Sequence, residues 1–150
     1  MKPRTVLTAL LLAFVAASVV TLVAREVTAP PPEAPPPADG IVLYYFHGPE
    51  RCTTCLTLEA ACRRAVEQNQ AAAAAARRLR MESIDFLAEP GEPYRRRYDV
   101  GALSVVLAEI AGGRTVRFKT LHDLWRHIDR SDDLAAYLAA EIRSFMEPSP

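Results

Sequence analysis

The fold is decided by residues 41–55, which read IVLYYFHGPERCTTC. Its first six residues, Ile41 to Phe46, are β-branched, aliphatic or aromatic, which is typical of a buried β-strand. Gly48 and Pro49 then predict a turn that ends the strand. A long run without glycine or proline follows, so we expect a helix to begin near Thr53. The two cysteines of this stretch therefore lie where a strand gives way to a helix.

The position of Cys52 just before a helix favours a reactive thiolate. The first turn of a helix leaves N–H groups unpaired and carries the positive end of the helix dipole. Arg51 adds a full positive charge next to the sulfur. Such surroundings lower the pKa of a cysteine and make it a nucleophile near neutral pH. We expect Cys52 to attack a disulfide, and Cys55, one turn further and more shielded, to resolve the mixed disulfide.

The N-terminal segment predicts export of the domain. Residues 5–24 carry no charge, and Lys2 and Arg4 precede them. This run is long enough to span a bilayer as a helix, and the preceding basic residues place residues 1–4 in the cytoplasm. A cleaved signal peptide is the alternative, and it also exports the chain. Residues 25–39 hold two proline triplets, which predict an extended linker before a folded domain over residues 40–147.

Composition and charge exclude several classes of protein. The chain has 18 basic and 18 acidic residues, and no basic run is dense enough to follow a phosphate backbone. We therefore expect no nucleic-acid partner. Three cysteines, two of them in one close pair, do not suit a small domain stapled by disulfides. An exported Cys-x-x-Cys pair instead points to redox machinery.

The remaining sequence predicts an α/β domain. After the first strand we predict a long helix, a strand, a short helix, two strands joined by a glycine turn, and two helical stretches, at 53–80, 81–86, 94–98, 103–110, 115–118, 121–128 and 132–146. Ser131 is the expected N-cap of the last helix. An apolar stripe that starts at Leu56 is expected to bury one face of the long helix. This order predicts a mixed central sheet flanked by helices.

At this level the chain resembles a known fold. A strand that ends in a turn, a Cys-x-x-Cys that opens a long helix, and a hairpin before the last helix resemble the thioredoxin fold over about residues 40–147. The motifs at 44–48 and 51–55, followed by Glu59, are similar to a thioredoxin-like family found near bacterial arsenic-resistance genes. That family is labelled a nitrophenyl compound nitroreductase subunit. With the predicted anchor, the resemblance implies an inner-membrane protein whose domain is periplasmic or otherwise extracytoplasmic.

The resemblance also carries expectations about the substrate groove. In thioredoxins a cis-proline helps to hold the substrate chain. When this sequence is aligned on Tyr98 and Val100, Ser104 occupies the position of that proline. A cis bond before a residue other than proline costs about 2.5–4 kcal/mol, so we expect the Leu103–Ser104 bond to be trans.

No buried aspartate stands near Phe46 or His47 to take the proton of the second thiol. Glu59, one helical turn beyond Cys55, is the expected proton acceptor. The expected partner is a protein dithiol or disulfide. No organic cofactor is expected, because the sequence contains no flavin or nicotinamide motif.

Two other functions are consistent with the same residues. Cys52, Cys55 and His47 could bind a soft metal or metalloid, because thiolates suit soft ions. A tetrahedral zinc site would need a fourth ligand that the spacing does not supply. A tethered binding module without redox activity is the third interpretation. Cys62, seven residues after Cys55, is expected to be a small core residue.

Overall fold

The computed structural model of the protein describes residues 11–21, 38–73 and 78–147, and the chain divides into two units after Pro35. In the first unit, residues 11–21 are helical. The large apolar side chains of this helix are exposed, namely Leu11, Leu12, Phe14, Val15, Val19 and Val20. The hydroxyl groups of Ser18 and Thr21 donate hydrogen bonds to carbonyl groups one turn earlier, at 2.9 and 2.6 Å.

Within the described ranges, no helix combines the length and the apolarity that a membrane crossing requires. The predicted span over residues 5–24 lies partly outside these ranges, so it stays a prediction. The same holds for the linker predicted at 25–39, of which only residues 38 and 39 are described.

The second unit is built on a four-stranded mixed sheet. Its strands are β1 (Gly40–His47), β2 (Leu79–Asp85), β3 (Ser104–Ala111) and β4 (Arg114–Thr120), in the spatial order β2-β1-β3-β4. Strand β1 runs parallel to β2 and antiparallel to β3, and β3 and β4 form the predicted antiparallel hairpin. The mixed sheet expected from the sequence is confirmed.

Helices cover both faces of this sheet. The α-helices are α1 (Thr53–Ala73), α2 (Glu92–Tyr98) and α3 (Ser131–Met146), and two short 3₁₀ segments lie at Glu89–Gly91 and His122–Arg126. Helices α1 and α3 pack together on one face, and α2 lies on the other. A β-α-β unit followed by a β-hairpin and a helix fits a thioredoxin-like fold.

Strand β1 is the centre of the core. Because it lies between β2 and β3 and both of its faces are covered, its side chains form a continuous apolar run rather than an alternating pattern. Successive side chains of β1 point alternately to the face covered by α1 and α3 and to the face covered by α2. Six of them are fully buried, namely Ile41, Leu43 and Tyr45 on the first face and Val42, Tyr44 and Phe46 on the second.

The structure differs from the predicted boundaries most at the end of the long helix and at residues 121–128. Smaller differences are that α2 begins at Glu92 rather than Tyr94 and that β2 spans Leu79–Asp85 rather than 81–86. The long helix was expected to continue to Arg80, but β2 begins at Leu79, which is buried and pairs with Ile41. Pairing with β1 places Leu79 and Arg80 in a strand rather than in the predicted helix. The segment 121–128, expected to be helical, forms only the 3₁₀ turns His122–Arg126. The start of this segment is attached to the sheet, because the Leu121 N–H donates a hydrogen bond to the Val105 carbonyl oxygen at 2.9 Å.

Two local details also differ from expectation. Helix α3 begins at Ser131 itself, and Arg130 occupies the N-cap position without a side-chain cap bond. Leu56, expected in the buried stripe of α1, is 53% exposed. It lies two residues before the buried Leu58, and two residues turn a helix by about 200°, so the two side chains point in opposite directions.

Candidate dithiol site

The cysteine pair lies at the junction that the sequence predicts. Cys52 is exposed in the loop just before α1, and Cys55 is in the first turn, only 7% exposed. Both are free thiols, and their sulfur atoms are 2.7 Å apart. The backbone N–H of Cys55 donates to the Cys52 sulfur at 3.3 Å. The two sulfur atoms are in direct contact, so a disulfide between them is within reach of the two side chains.

The two thiols are electrostatically different. The pKa of Cys52 is lowered, mainly because the Cys55 thiol donates a hydrogen bond to its sulfur, and also because backbone N–H groups of the first helical turn point at it. The pKa of Cys55 is raised, because its proton is held in that same hydrogen bond and its side chain is buried. As pH rises, the exposed sulfur therefore becomes the thiolate first, and the shielded sulfur keeps its proton.

Arg51 is engaged by other side chains beside the dithiol. Its guanidinium forms an ion pair with the carboxylate of Glu59. It also lies 3.5 Å from His47 Nε2, and 5.9 Å from the centre of the Tyr45 ring. The groups that lower the pKa of Cys52 are thus the neighbouring thiol and backbone amides, while Arg51 joins a side-chain network beside them.

Glu59 stands between two arginines. One carboxylate oxygen contacts Arg51, and the other accepts a hydrogen bond from Arg63 at 2.7 Å. Its side chain is 15% exposed, so this cluster is partly shielded from solvent. The structure therefore places Glu59 as the common partner of both guanidinium groups. Proton transfer between Glu59 and Cys55 stays a prediction.

Tyr45 is a site residue that the sequence analysis missed. Its buried hydroxyl donates a hydrogen bond to the carbonyl oxygen of Cys55 at 2.8 Å, which ties β1 to the first turn of α1. Burial raises the pKa of Tyr45 to about 12, with the nearby Cys55 as the next cause. An aromatic residue inside an apolar strand predicts core packing. The signal that could have revealed a second role is its hydroxyl, because a buried tyrosine usually needs a partner.

His47 is not joined to the thiols as a metal ligand. Its Nδ1 lies 2.7 Å from the Gly48 carbonyl oxygen, so this nitrogen carries the hydrogen in the neutral ring, and Nε2 faces Arg51. Among the residues that the structure describes, no three histidine, cysteine, aspartate or glutamate side chains come together as a metal-binding group. The metal site proposed for His47 with Cys52 and Cys55 is therefore not formed here.

Ser104 stands at the start of β3 and Cys62 stands in the core, and the substrate-groove role of Ser104 stays a prediction. Ser104 opens β3 and pairs with Phe46, so it stands at the end of the sheet from which the chain leads to the cysteines. The Leu103–Ser104 bond is trans, as expected, and the Ser104 hydroxyl donates to the Ala102 carbonyl at 2.9 Å. Cys62 is fully buried in the core, and this burial raises its pKa to about 12.

The mixed sheet and the cysteine pair before its first long helix fit a thioredoxin-like fold. Two solved structures similar to this chain are a thioredoxin from Thermus thermophilus and the N-terminal domain of SasA from Synechococcus elongatus. Both are 19% identical to it. The first match covers 61% of this chain and 72% of the other, with a TM-score of 0.34. The second covers 81% and 99%, with a TM-score of 0.36. No protein-family model and no curated protein matches the sequence.

Proposed function

We propose that the protein carries out thiol–disulfide exchange through Cys52 and Cys55. The observation that supports this proposal is the pairing of an exposed sulfur of lowered pKa with a shielded one only 2.7 Å away. An attacking thiolate must reach a partner protein, whereas a resolving thiol must reach only the first sulfur. The two cysteines differ in this way in both exposure and protonation.

The reaction has two steps. The Cys52 thiolate attacks one sulfur of a partner disulfide, forms a mixed disulfide with it, and releases the other partner sulfur as a thiolate. Cys55 then loses its proton and attacks Cys52, which forms the intramolecular disulfide and releases the second partner thiolate. Two electrons pass from the protein dithiol to the partner, and the reverse sequence oxidises a partner dithiol. If the protein acts as a reductant outside the cytoplasm, a membrane electron donor must restore its dithiol.

A reduction potential tests this function. The full-length protein in detergent is equilibrated in glutathione and dithiothreitol buffers, its thiols are trapped, and the products are weighed by mass spectrometry. We expect one reversible two-electron transition between about −270 and −120 mV. Cys62 should remain a thiol throughout, because it is fully buried. Failure of Cys52 and Cys55 to form an intramolecular disulfide in any buffer would contradict the proposal.

The proposal includes anchoring of the domain on the outer side of a bacterial inner membrane by residues 5–24. Two observations on residues 11–21 support it: large apolar side chains are exposed, and the hydroxyls of Ser18 and Thr21 are bonded within the helix. Both features suit a lipid environment, which offers no water to polar groups. The proposal also keeps the finer resemblance to the arsenic-cluster family, which rests on the motifs at 44–48 and 51–55.

Labelling in intact cells tests the location. The outer membrane of cells that express the full-length protein is first permeabilised. A membrane-impermeant maleimide is then added, and the cells are lysed afterwards. We expect Cys52 to be labelled and the protein to stay in the membrane pellet after alkaline carbonate washing. A Cys52→Ser variant controls for labelling elsewhere. Labelling only after lysis, or release of the protein by carbonate, would argue against an extracytoplasmic anchored domain.

A further inference from the structure

Strand β4 forms an open edge of the sheet. It pairs with β3 on one side, and no other strand of the described part of the chain pairs with its outer side. Alternate N–H and C=O groups along such an edge have no partner in the sheet, which makes the edge a template for another extended chain. A bulge where β3 meets β4, between Glu109 and Ile110, interrupts the regular pairing near the middle of β4.

A groove of about 550 Å³ runs along this edge. It is lined by consecutive residues of β4 together with one residue of α2, namely Arg114, Thr115, Val116, Arg117, Phe118 and Arg97. Val116 is 58% exposed and Phe118 is 49% exposed, although both are large apolar side chains. The groove therefore combines an unpaired backbone edge with apolar surface that a partner could cover.

The charge of the groove is positive and largely uncompensated. None of its lining residues is acidic. Arg117 is engaged, since it donates to Glu109 and to the Phe145 carbonyl, each at 2.6 Å. Arg97 and Arg114 are exposed and have no carboxylate partner within the described residues. Two arginines beside an open edge favour carboxylate groups, which they can bind through paired hydrogen bonds.

The groove lies away from the dithiol. Arg114 begins β4 and pairs with Ala111 at the hairpin turn, whereas Ser104 and Phe46 pair at the opposite end of the sheet, next to the cysteines. A ligand in the groove would thus leave the cysteine pair accessible. The groove also does not depend on the proposed redox chemistry.

We propose that this groove binds an extended acidic peptide segment, which adds to β4 as a further strand. Its backbone would pair with the free edge, its acidic side chains would meet Arg97 and Arg114, and its apolar side chains would cover Val116 and Phe118. A second copy of this strand fits poorly, because β4 contains no acidic residue that could meet Arg97 and Arg114. Charge complementarity therefore selects an acidic partner.

Fluorescence anisotropy tests the proposal with a labelled peptide of about eight residues, long enough to cover β4, with the repeat Glu-Glu-Val-Val. Because successive side chains of a strand point to opposite faces, this repeat gives each face of the peptide both acidic and apolar side chains. We expect the full-length protein to bind it, and the same peptide with lysine in place of glutamate to bind at least about tenfold more weakly. The double variant R97E/R114E should lose about tenfold or more in affinity. The matched control is Arg143→Glu, which changes an exposed arginine of α3 and should stay within about twofold.

A second probe separates strand addition from charge attraction. The acidic peptide is methylated on the backbone nitrogen of every second residue, on the edge that would pair with β4, which removes donors and keeps the side chains. We expect this peptide to lose most of its affinity. Three results would overturn the proposal. They are equal affinity for the acidic peptide and its methylated form, equal affinity of R97E/R114E and the unmodified protein for the acidic peptide, and binding only to vesicles that contain anionic phospholipid. An unchanged midpoint of urea unfolding in R97E/R114E shows that the domain of this variant is folded.

Discussion

Serine in place of Cys52 is expected to remove thiol–disulfide exchange completely, whereas alanine in place of Cys55 stops the reaction half-way. A hydroxyl at residue 52 supplies no thiolate at neutral pH, so the first attack fails. In Cys55→Ala, the exposed Cys52 still attacks, but no second sulfur is available to release the partner. The measurement is reaction of the full-length protein with a fluorescent peptide disulfide, with mass spectrometry of the protein. A covalent peptide adduct should accumulate only in Cys55→Ala.

The matched control for these variants is Cys62→Ala. Its sulfur is fully buried and has a pKa raised to about 12 by burial, so we expect exchange at the rate of the unmodified protein. A peptide adduct on Cys55 in Cys52→Ser, at a rate similar to that of the unmodified protein, would reverse the assigned roles.

The same variants give a pH readout. The Cys55 thiol is the main cause of the lowered pKa of Cys52, so Cys55→Ala should raise that pKa toward the ordinary cysteine value of about 8.5. The rate of iodoacetamide alkylation follows the thiolate fraction. The midpoint of this rate against pH should therefore move to higher pH in Cys55→Ala, and the rate at neutral pH should fall. An unmoved midpoint would mean that backbone groups alone set the pKa.

Alanine in place of Gly91 is expected to destabilise the domain by about 3 kcal/mol. Gly91 is buried where the 3₁₀ turn meets α2. A Cβ atom there would overlap the backbone carbonyl oxygen of Asp85 and come within 2.9 Å of the Phe86 Cα. Backbone atoms cannot move aside as the end of a side chain can, so α2 would have to shift from the sheet. The free energy of unfolding, from urea denaturation, measures the effect.

The control is Gly101→Ala. Nothing lies within 4 Å of the position that a Cβ would occupy there, and we expect a change of at most about 0.5 kcal/mol. Similar losses in the two variants would show that the glycine backbone itself, rather than the close contact at Asp85, determines stability. Exchange activity should survive in both variants below the unfolding transition, because the cysteines lie on other elements.

Local patterns predicted the centre of the fold well. The apolar run of β1 and the helix that begins after the first cysteine are both encoded by residues close together in the sequence. The structure has both elements where they were predicted. The start of β2 did not follow from local pattern. The alanines at 71–76 favour a helix, and only pairing of Leu79 with Ile41 across the sheet explains where the strand begins. Pairing between residues so far apart in the chain cannot be inferred from the sequence of the segment alone.

The side-chain networks of the site were less predictable. Arg51 and Glu59 are eight residues apart across a loop and a helix, so no periodic pattern relates them. The sequence places Arg51 beside Cys52 but does not reveal that its guanidinium is bound to Glu59. The effect of Arg51 on the Cys52 thiolate stays a prediction. The groove beside β4 depends on a bulge and on one arginine from α2, which are brought together only by folding.

Burial of Cys62 makes the order of folding and oxidation important. An unfolded chain with three cysteines can form three different single disulfides, Cys52–Cys55, Cys52–Cys62 and Cys55–Cys62. Either pairing that includes Cys62 would pull a fully buried sulfur out of the core and prevent α1 from packing on the sheet. Once the domain has folded, only the first pairing is open to an oxidant. A chain that emerges into an oxidising compartment must therefore bury Cys62 before its thiols react, or depend on an isomerase to rescue it.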